Sequence, residues 1–385
     1  MRIAWADEWA KVGIKVNDTW ILKNSQGVVE MCERLNRHKS RDRARKSNMK
    51  TFDFEQMYTN IELDALVEKM DEVVALGFRK QRELTRDTVL ELSLDGEHKW
   101  LRNKHPVHKN SAKRVYVDEA VLRRWIDYLV RNTYLHVGSE LVVQQCVGLP
   151  MGTNCAVHLA NYFLFGYEYD FVRRAVSAGK REVLEAFRWT LRFIDDLVSV
   201  DNPLFRPFCY FDITEVIDGL AGIYPKFLNL KEESNSELEV DYIDTTIYRV
   251  DGVGPYRTRV FDKRDKPPLL GLETDKFPHA SSFLSSRSKY GVLTGQLHRF
   301  LRINSTKGQY AWWHKRMIRE LSKKGYSPHL LRSFSGRFVT SHRYMYGLPR
   351  GKKPYIKWLN YLMDVKEHSL TPPPLHGGNA KRGPS

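Results

Sequence analysis

Cysteine is scarce in this chain: 385 residues carry four, Cys32, Cys146, Cys155 and Cys209. None stands in a C-x-x-C pair, which excludes a zinc ribbon or a disulfide framework. Free thiols of a reducing compartment are expected, with no disulfide-linked partner. Long apolar runs are also lacking. The most apolar stretch, 157–165, is interrupted by His158 and Asn161 and is too short to span a membrane. The first residues, Met1-Arg2-Ile3-Ala4-Trp5-Ala6-Asp7-Glu8, are charged too early for a secretory signal. The expectation is an intracellular protein with no membrane partner. A phosphate-binding G-x-x-x-x-G-K-[ST] loop is absent, and Gly252-x-Gly254 lacks the third glycine of a dinucleotide site. Ser, His and Asp are plentiful but form no recognisable triad phrase. Acids, finally, are in deficit: 46 against 62 Lys and Arg, a net charge of +16. That balance favours a polyanionic partner, nucleic acid before a membrane surface.

Hydrophobic residues make up 42% of the chain, enough for one large core or two ordinary ones. A basic segment over 1–50 has helical character from Val28 to Leu35 and a cationic run from Arg34 to Lys50. Ile61 to Leu76 reads as an amphipathic helix, with Leu63, Leu66, Val67, Met70, Val73 and Val74 at helical spacing. Residues 84–115 are polar and read as loop. Val117 to Asn132 predicts a helix with Val121, Trp125, Tyr128 and Leu129 on one face. A hairpin turns at Gly138-Ser139, and a glycine-rich turn at 148–152 opens a long helix to about Arg174. Ile213 to Ile223 is expected to be helical. Asp241 to Arg249 and Tyr256 to Phe261 read as two strands. Helices follow at Gly291 to Ile303 and Lys307 to Lys324. Gly325 closes the second, and Ser327-Pro328 starts a third. The tail, 366–385, reads as disordered.

Chemistry concentrates in three phrases. Arg192-Phe193-Ile194-Asp195-Asp196-Leu197-Val198 places two adjacent aspartates between apolar runs, as strand, turn, strand. Thr51-Phe52-Asp53-Phe54 puts another acid in a strand signal far upstream. Between them lies Gly148-Leu149-Pro150-Met151-Gly152-Thr153-Asn154, leading into Ala160-Asn161. Acid, glycine turn into helix, then acid pair is an order that suits two-metal nucleotidyl transfer. There, divalent ions on shared carboxylates clamp the attacking and leaving oxygens. Asp53 and Asp195 are the expected metal bridge, with Asp196 more peripheral. Hard oxygen ligands indicate Mg²⁺. Each acid alone would be an ordinary turn residue. Gly152 would let backbone approach a nucleotide without a Cβ in the way; a helix-start glycine is the plain alternative. Tyr310, Trp313, Met317 and Leu321 form a stripe read as core, opposite a basic face of Lys315, Arg316, Arg319, Lys323 and Lys324 that would track phosphates.

These phrases resemble the palm of reverse transcriptases, most closely the telomerase-related Penelope-like retroelement branch. Asp53-Phe54-Glu55-Gln56-Met57-Tyr58-Thr59-Asn60-Ile61 is similar to the branch's first palm motif, 148–161 to its second, and Phe193-Ile194-Asp195-Asp196 to its third. Tyr224 to Leu230 and Val240 to Arg249 resemble the fourth and fifth. His279 to Ser282 and Gly295 to Phe300 resemble the start of its thumb. The resemblance covers roughly 20–340. It implies an α+β fold, a right-hand polymerase palm of antiparallel sheet backed by helices over 51–265, then a helical thumb over 266–365. It implies RNA-directed DNA polymerase activity (nucleotidyl transfer onto a primer 3′-hydroxyl) with two Mg²⁺ or Mn²⁺, an RNA template, a DNA primer and dNTPs. The backbone carbonyl of Phe54 becomes an extra metal ligand. Tyr58 becomes a steric gate against a ribose 2′-hydroxyl, which disfavours an RNA-dependent RNA polymerase. Met151 and Gly152 would line the nucleotide site, and Lys231, or Lys226, would protonate the leaving pyrophosphate. A nuclear or cytoplasmic location follows from the element class. Two departures stand out: no fingers phrase is legible in 1–52, and 363–385 is too short for the GIY-YIG endonuclease of that branch. A truncated, catalytically inactive nucleic-acid-binding remnant is therefore the rival expectation.

Overall fold

The structure, a computed structural model, describes residues 1–16, 18–38, 48–102, 111, 113–149, 153–210, 212–234, 236–249, 254–266, 276–347 and 352–363, with side chains from 356 onward in the last of these. Met151, Gly152, most of the cationic run and the expected tail lie outside the described residues. The chain divides into two compact units, Met1–Lys23 with Lys50–Ser234, and Asn24–Met49 with Asn235–Ser385.

In chain order the elements begin α1 (Arg2–Lys11), α2 (Gln26–His38), β1 (Met49–Glu55), α3 (Met57–Asn60), α4 (Leu63–Thr85), β2 (Val89–Ser93), β3 (His98–Leu101) and β4 (Arg114–Val117). Then come α5 (Glu119–Arg131), β5 (Tyr134–Val137), β6 (Leu141–Gln144), α6 (Ala156–Ser177), α7 (Arg181–Phe187), β7 (Thr190–Phe193), β8 (Asp196–Val200) and α8 (Phe205–Cys209). The chain continues through β9 (Val216–Ile217), β10 (Leu220–Ala221), β11 (Asn229–Glu232), β12 (Glu239–Tyr242), β13 (Thr245–Arg249) and β14 (Tyr256–Val260). It ends with α9 (Ser286–Ile303), α10 (Lys307–Lys323), α11 (Pro328–Ser341) and α12 (Lys352–Met363). The fold is mixed α+β, with antiparallel sheets and helices in both units.

The first unit is organised on a sheet of order β11-β1-β8-β7. Helices α1, α4 and α6 supply its core. Phe163, Leu164, Phe165, Phe171 and Val172 of α6 are fully buried, and Trp5 of α1 packs against Trp20 and Phe165. Helix α4 buries Leu66, Met70, Val73 and Val74, the stripe its periodicity predicts. Helix α5 departs from its expected face. It packs through Leu122, Ile126 and Val130, at i, i+4, i+8, while Trp125, Tyr128 and Leu129 are exposed. Its N-terminus is set by Asp118, whose carboxylate accepts from the Val121 N–H.

Two expected segments fold differently. Residues 84–115 contain the sheet β3-β2-β4 rather than loop. The turn at Asp95-Gly96, with Gly96 at φ +90, folds β3 back on β2, and Trp100 then meets the Phe78 ring edge-on at 5.1 Å. Residues 213–223 are a hairpin, β9 against β10, not a helix. Asp218 and Gly219 both take positive φ, 50° and 79°, the geometry of a two-residue hairpin turn. Helical spacing of Ile213, Val216, Ile217 and Leu220 was overridden by this turn.

The second unit holds the sheet β12-β13-β14 and helices α2 and α9–α12. The segment 241–249 is two strands, not one, because Ile243 at φ 58 turns the chain between Tyr242 and Thr245. Asn36 of α2 clasps the Tyr256 backbone, donating to its carbonyl at 2.9 Å and accepting from its N–H at 2.7 Å. Helix α10 begins with a Thr306–Gln309 capping box and is followed by Gly325 at φ +77. Tyr310, Trp313, Met317 and Leu321 are core. The expected basic face opposite them is not a free one. Lys315 is 2% exposed, its ammonium over the Tyr361 ring at 4.3 Å, and Arg316 is ion-paired to Asp265 and Glu320.

Candidate active site

Alternation on β1 separates core from chemistry. Phe52 and Phe54 point inward, Phe52 stacked on Phe205 at 4.1 Å and Phe54 edge-on to Tyr224 at 4.8 Å. Asp53 and Glu55 therefore share the opposite, half-buried face. Strand β11 runs antiparallel beside them, Lys231 opposite Asp53 and Asn229 opposite Glu55. Glu55 takes both neighbours, the Lys231 ammonium at 3.1 Å and the Asn229 amide at 2.7 Å.

On the other side of β1 lies the β7–β8 hairpin. Its two-residue turn is Ile194-Asp195, between the paired residues Phe193 and Asp196. The Phe54 N–H donates to the Asp195 carbonyl at 3.3 Å, which fixes the turn against β1. Ile194 adopts φ 58, a conformation that a β-branched residue takes only under constraint. Asp53 and Asp195 are thus brought together, and Asp53 records it. Burial pushes its carboxyl above the usual range, and repulsion from Asp195, Glu233 and Glu55 pushes further, against a partial offset from Lys231. Tyr58, on the short helix α3, joins them. Its phenol is raised by burial and by the charge of Asp195. Asp196, the first residue of β8, is half-buried at the edge of the group. Lys226 sits elsewhere, exposed, its N–H donating to Asp212 at 2.6 Å.

The second unit repeats the turn and marks a contrast. Tyr242-Ile243-Asp244 has the same left-handed isoleucine before an aspartate. There Asp244 is neutralised by Arg299, whose Nε lies 2.6 Å away. Among the described residues no cationic side chain is paired with the Asp195 carboxylate. One acid is paired with an arginine; the other has no such partner among the described residues.

The Asp53–Asp195 pair is a fit for a hard divalent cation, which would relieve its repulsion. Among the described residues no group of three or more His, Cys, Asp or Glu side chains is disposed to hold a metal. Two carboxylates by themselves make no all-protein cage for Mg²⁺, which keeps six oxygen ligands and would need others from water or a bound molecule.

Two contributors were missed in the sequence. Glu55 was read only as part of a phrase, although its i+2 spacing from Asp53 put it on the same face. Gly148 was passed over for Gly152. It adopts φ +85, and a Cβ there would lie 2.6 Å from the Tyr58 carbonyl oxygen. Its N–H donates to Ile61 at 2.8 Å, and the Leu149 N–H to Tyr58 at 2.6 Å. The glycine turn thus clamps the backbone that carries Tyr58.

No helix among the described residues is long and apolar enough to cross a membrane. No protein-family model matches the chain, and no curated protein matches it. Among solved structures it is similar to telomerase from Candida albicans in complex with the TWJ fragment of telomeric RNA, with TM-score 0.51 and 10% identity over 94% of this chain and 54% of that one. Apo telomerase from Candida tropicalis is similar with TM-score 0.43 and 12% identity, over 94% and 53%. The chain spans about half the length of the telomerase chains it matches. At this identity the likeness to the Candida albicans telomerase structure is one of fold.

Proposed function

We propose that the chain is an RNA-directed DNA polymerase of the Penelope-like branch, with a palm over 51–265 that includes the β11-β1-β8-β7 sheet and a thumb over 266–365. The observation that carries this reading is Asp53 of β1 brought beside Asp195 in the adjoining β7–β8 turn, where Ile194 is held at φ 58 and the Phe54 N–H binds the Asp195 carbonyl. The telomerase likeness in fold, the RNA bound in that structure, and the net charge of +16 support an RNA template with a DNA primer.

Two Mg²⁺, or Mn²⁺, held by Asp53, Asp195, Asp196 and the Phe54 carbonyl, would activate the primer 3′-hydroxyl and neutralise the triphosphate. The protein's own part is orientation. Asp53 and Asp195 would set the position of the reacting groups, one fixed on β1 and the other in the turn hydrogen-bonded to it. Tyr58, its backbone clamped by the Gly148 turn, would act as the gate against a ribose 2′-hydroxyl, and Met151 and Gly152, outside the described residues, would join it by resemblance alone. Lys231 sits on the strand beside Asp53, its pKa raised by its hydrogen bond to Glu55, so it stays protonated as a donor to leaving pyrophosphate.

Primer extension on an RNA template with dNTPs and Mg²⁺ tests the reading. Extension by the parent and none by Asp195→Asn is the expected result. No extension by either, with salt-sensitive primer–template binding retained, would overturn it in favour of a non-catalytic remnant.

A further inference from the structure

Helix α6 buries thirteen of its residues in the core of the first unit, and one of them, Glu168, is a carboxylate at 0% exposure. Its partner is Arg192 of β7, also at 0%. Arg192 Nε donates to Glu168 Oε1 at 2.5 Å and Nη2 to Oε2 at 3.3 Å. The Tyr224 hydroxyl donates to the same Oε1 at 3.0 Å. The remaining guanidinium donors turn the other way. Nη1 reaches Asn161 Oδ1 at 3.0 Å and the Ile194 carbonyl at 2.8 Å, and Nη2 reaches the Asn161 carbonyl at 3.1 Å. All five N–H groups of the guanidinium are therefore used. The Arg192 backbone is held as well, its N–H on the Trp20 carbonyl at 2.7 Å.

A buried ion pair is a poor way to stabilise a core. Desolvation costs as much as the pairing returns, and apolar replacements of similar volume are often neutral or stabilising. The network has one contact that core packing does not need: the carbonyl of Ile194, the residue in left-handed conformation immediately before Asp195. In the second unit the same turn is held through its acid, by Arg299 on Asp244. Asp195 cannot be held that way and remain available to a cation. Its turn must be held from behind, through the backbone.

We propose that Arg192, locked by Glu168, Asn161 and Tyr224, is a positioning residue that holds the Ile194 carbonyl and so aims Asp195 at Asp53. This rests on the reading of Asp53 and Asp195 as a cation site. Asn161 thereby acquires a role in the second motif, linking the helix to the third.

The test replaces the pair by apolar residues, Arg192→Met with Glu168→Leu, in the full chain. A purely structural pair predicts a folded variant with unchanged function. The positioning role predicts a variant that melts at or above the parent temperature, yet exchanges the amides of the 194–197 turn faster by hydrogen-exchange mass spectrometry. Mn²⁺ affinity, read by electron paramagnetic resonance on the free protein, should fall about 10–100-fold, as when a metal ligand loses its outer partner; primer extension should fall with it. Arg192→Lys is the second variant, should the double replacement not fold. It keeps the charge pair but cannot reach Ile194 and Asn161 together, and the same losses are expected. Unchanged exchange of the turn in a folded variant overturns the proposal. A parent that neither binds Mn²⁺ nor extends primers overturns the polymerase reading instead, and the exchange measurement still decides whether Arg192 holds the turn.

Discussion

Lys231 stands directly across from Asp53 in the antiparallel register of β11 and β1, yet its ammonium binds Glu55, 3.1 Å away. The lysine keeps its proton, and it offsets the Asp53 charge only at a distance. A direct Asp53–Lys231 salt bridge would have spent both groups on each other. On the proposed mechanism, Glu55 would keep Lys231 protonated without a direct salt bridge to Asp53. The hydrogen bond to Glu55 is the main cause of the raised Lys231 pKa. In Glu55→Gln the alkaline limb of the extension rate should move to lower pH. A pH–rate profile identical to that of the parent would count against Lys231 as the donor.

Asp53 carries a stability consequence. Its folded pKa is raised, so the folded state holds that proton more tightly than the unfolded chain. For an acid shifted this way, stability is highest below the unfolded value and is lost as pH rises through the folded one. Asp53→Asn should therefore melt higher than the parent at neutral pH while losing Mn²⁺ binding and extension. Thermal melts at neutral and acid pH check this. The gap should close on acidification, and a variant that melts lower at pH 7 would contradict it.

Gly148→Ala is expected to damage the Tyr58 site. The left-handed backbone alone costs a residue with a Cβ about 1–2 kcal/mol, and contact with the Tyr58 carbonyl adds to that. Chemical denaturation should show at least this loss. Discrimination between dNTPs and rNTPs should weaken as Tyr58 shifts, and Tyr58→Ala should weaken it more. Equal discrimination in all three proteins would remove Tyr58 from the sugar site.

His314 makes the second unit sensitive to acid. It is fully buried between the Tyr346 hydroxyl and Ser335, each at 3.0 Å, and burial lowers its pKa from 6.5 to about 3. A depressed folded pKa means that the unfolded chain binds the proton first. Its contribution is present above about 6.5 and is lost as pH falls from there toward about 3. Hydrogen exchange in α10 and α11 should accelerate over that window. In His314→Gln the slope over the same window should flatten; an unchanged slope would assign the acid sensitivity to other groups.

What was legible in the sequence was local. Phe52, Asp53 and Phe54 alternate because a strand with one buried face must, and Asp195-Asp196 follows an apolar run at a tight hairpin turn. The stripe of α4 was legible for the same reason. Asp218-Gly219 shows where local reading failed: a two-residue turn outweighed a helical pattern only as long as the segment itself. The face of α5 shows another limit. Trp125 and Tyr128 carry large apolar rings that the spacing alone groups with the core, and only packing against α4 decides that Ile126 and Val130 are the buried pair.

The sequence by itself determined which residues could do chemistry: the acids, their order, and the turns that present them. These follow from backbone preferences within a few residues. Only the tertiary structure decided which acid is spent and which is left. Asp195 and Asp244 sit in the same Ile-Asp turn, and what distinguishes them is a cation brought from 55 residues away to one and a buried guanidinium held behind the other. Charge pairing across the fold depends on distance in space, and no local pattern encodes that.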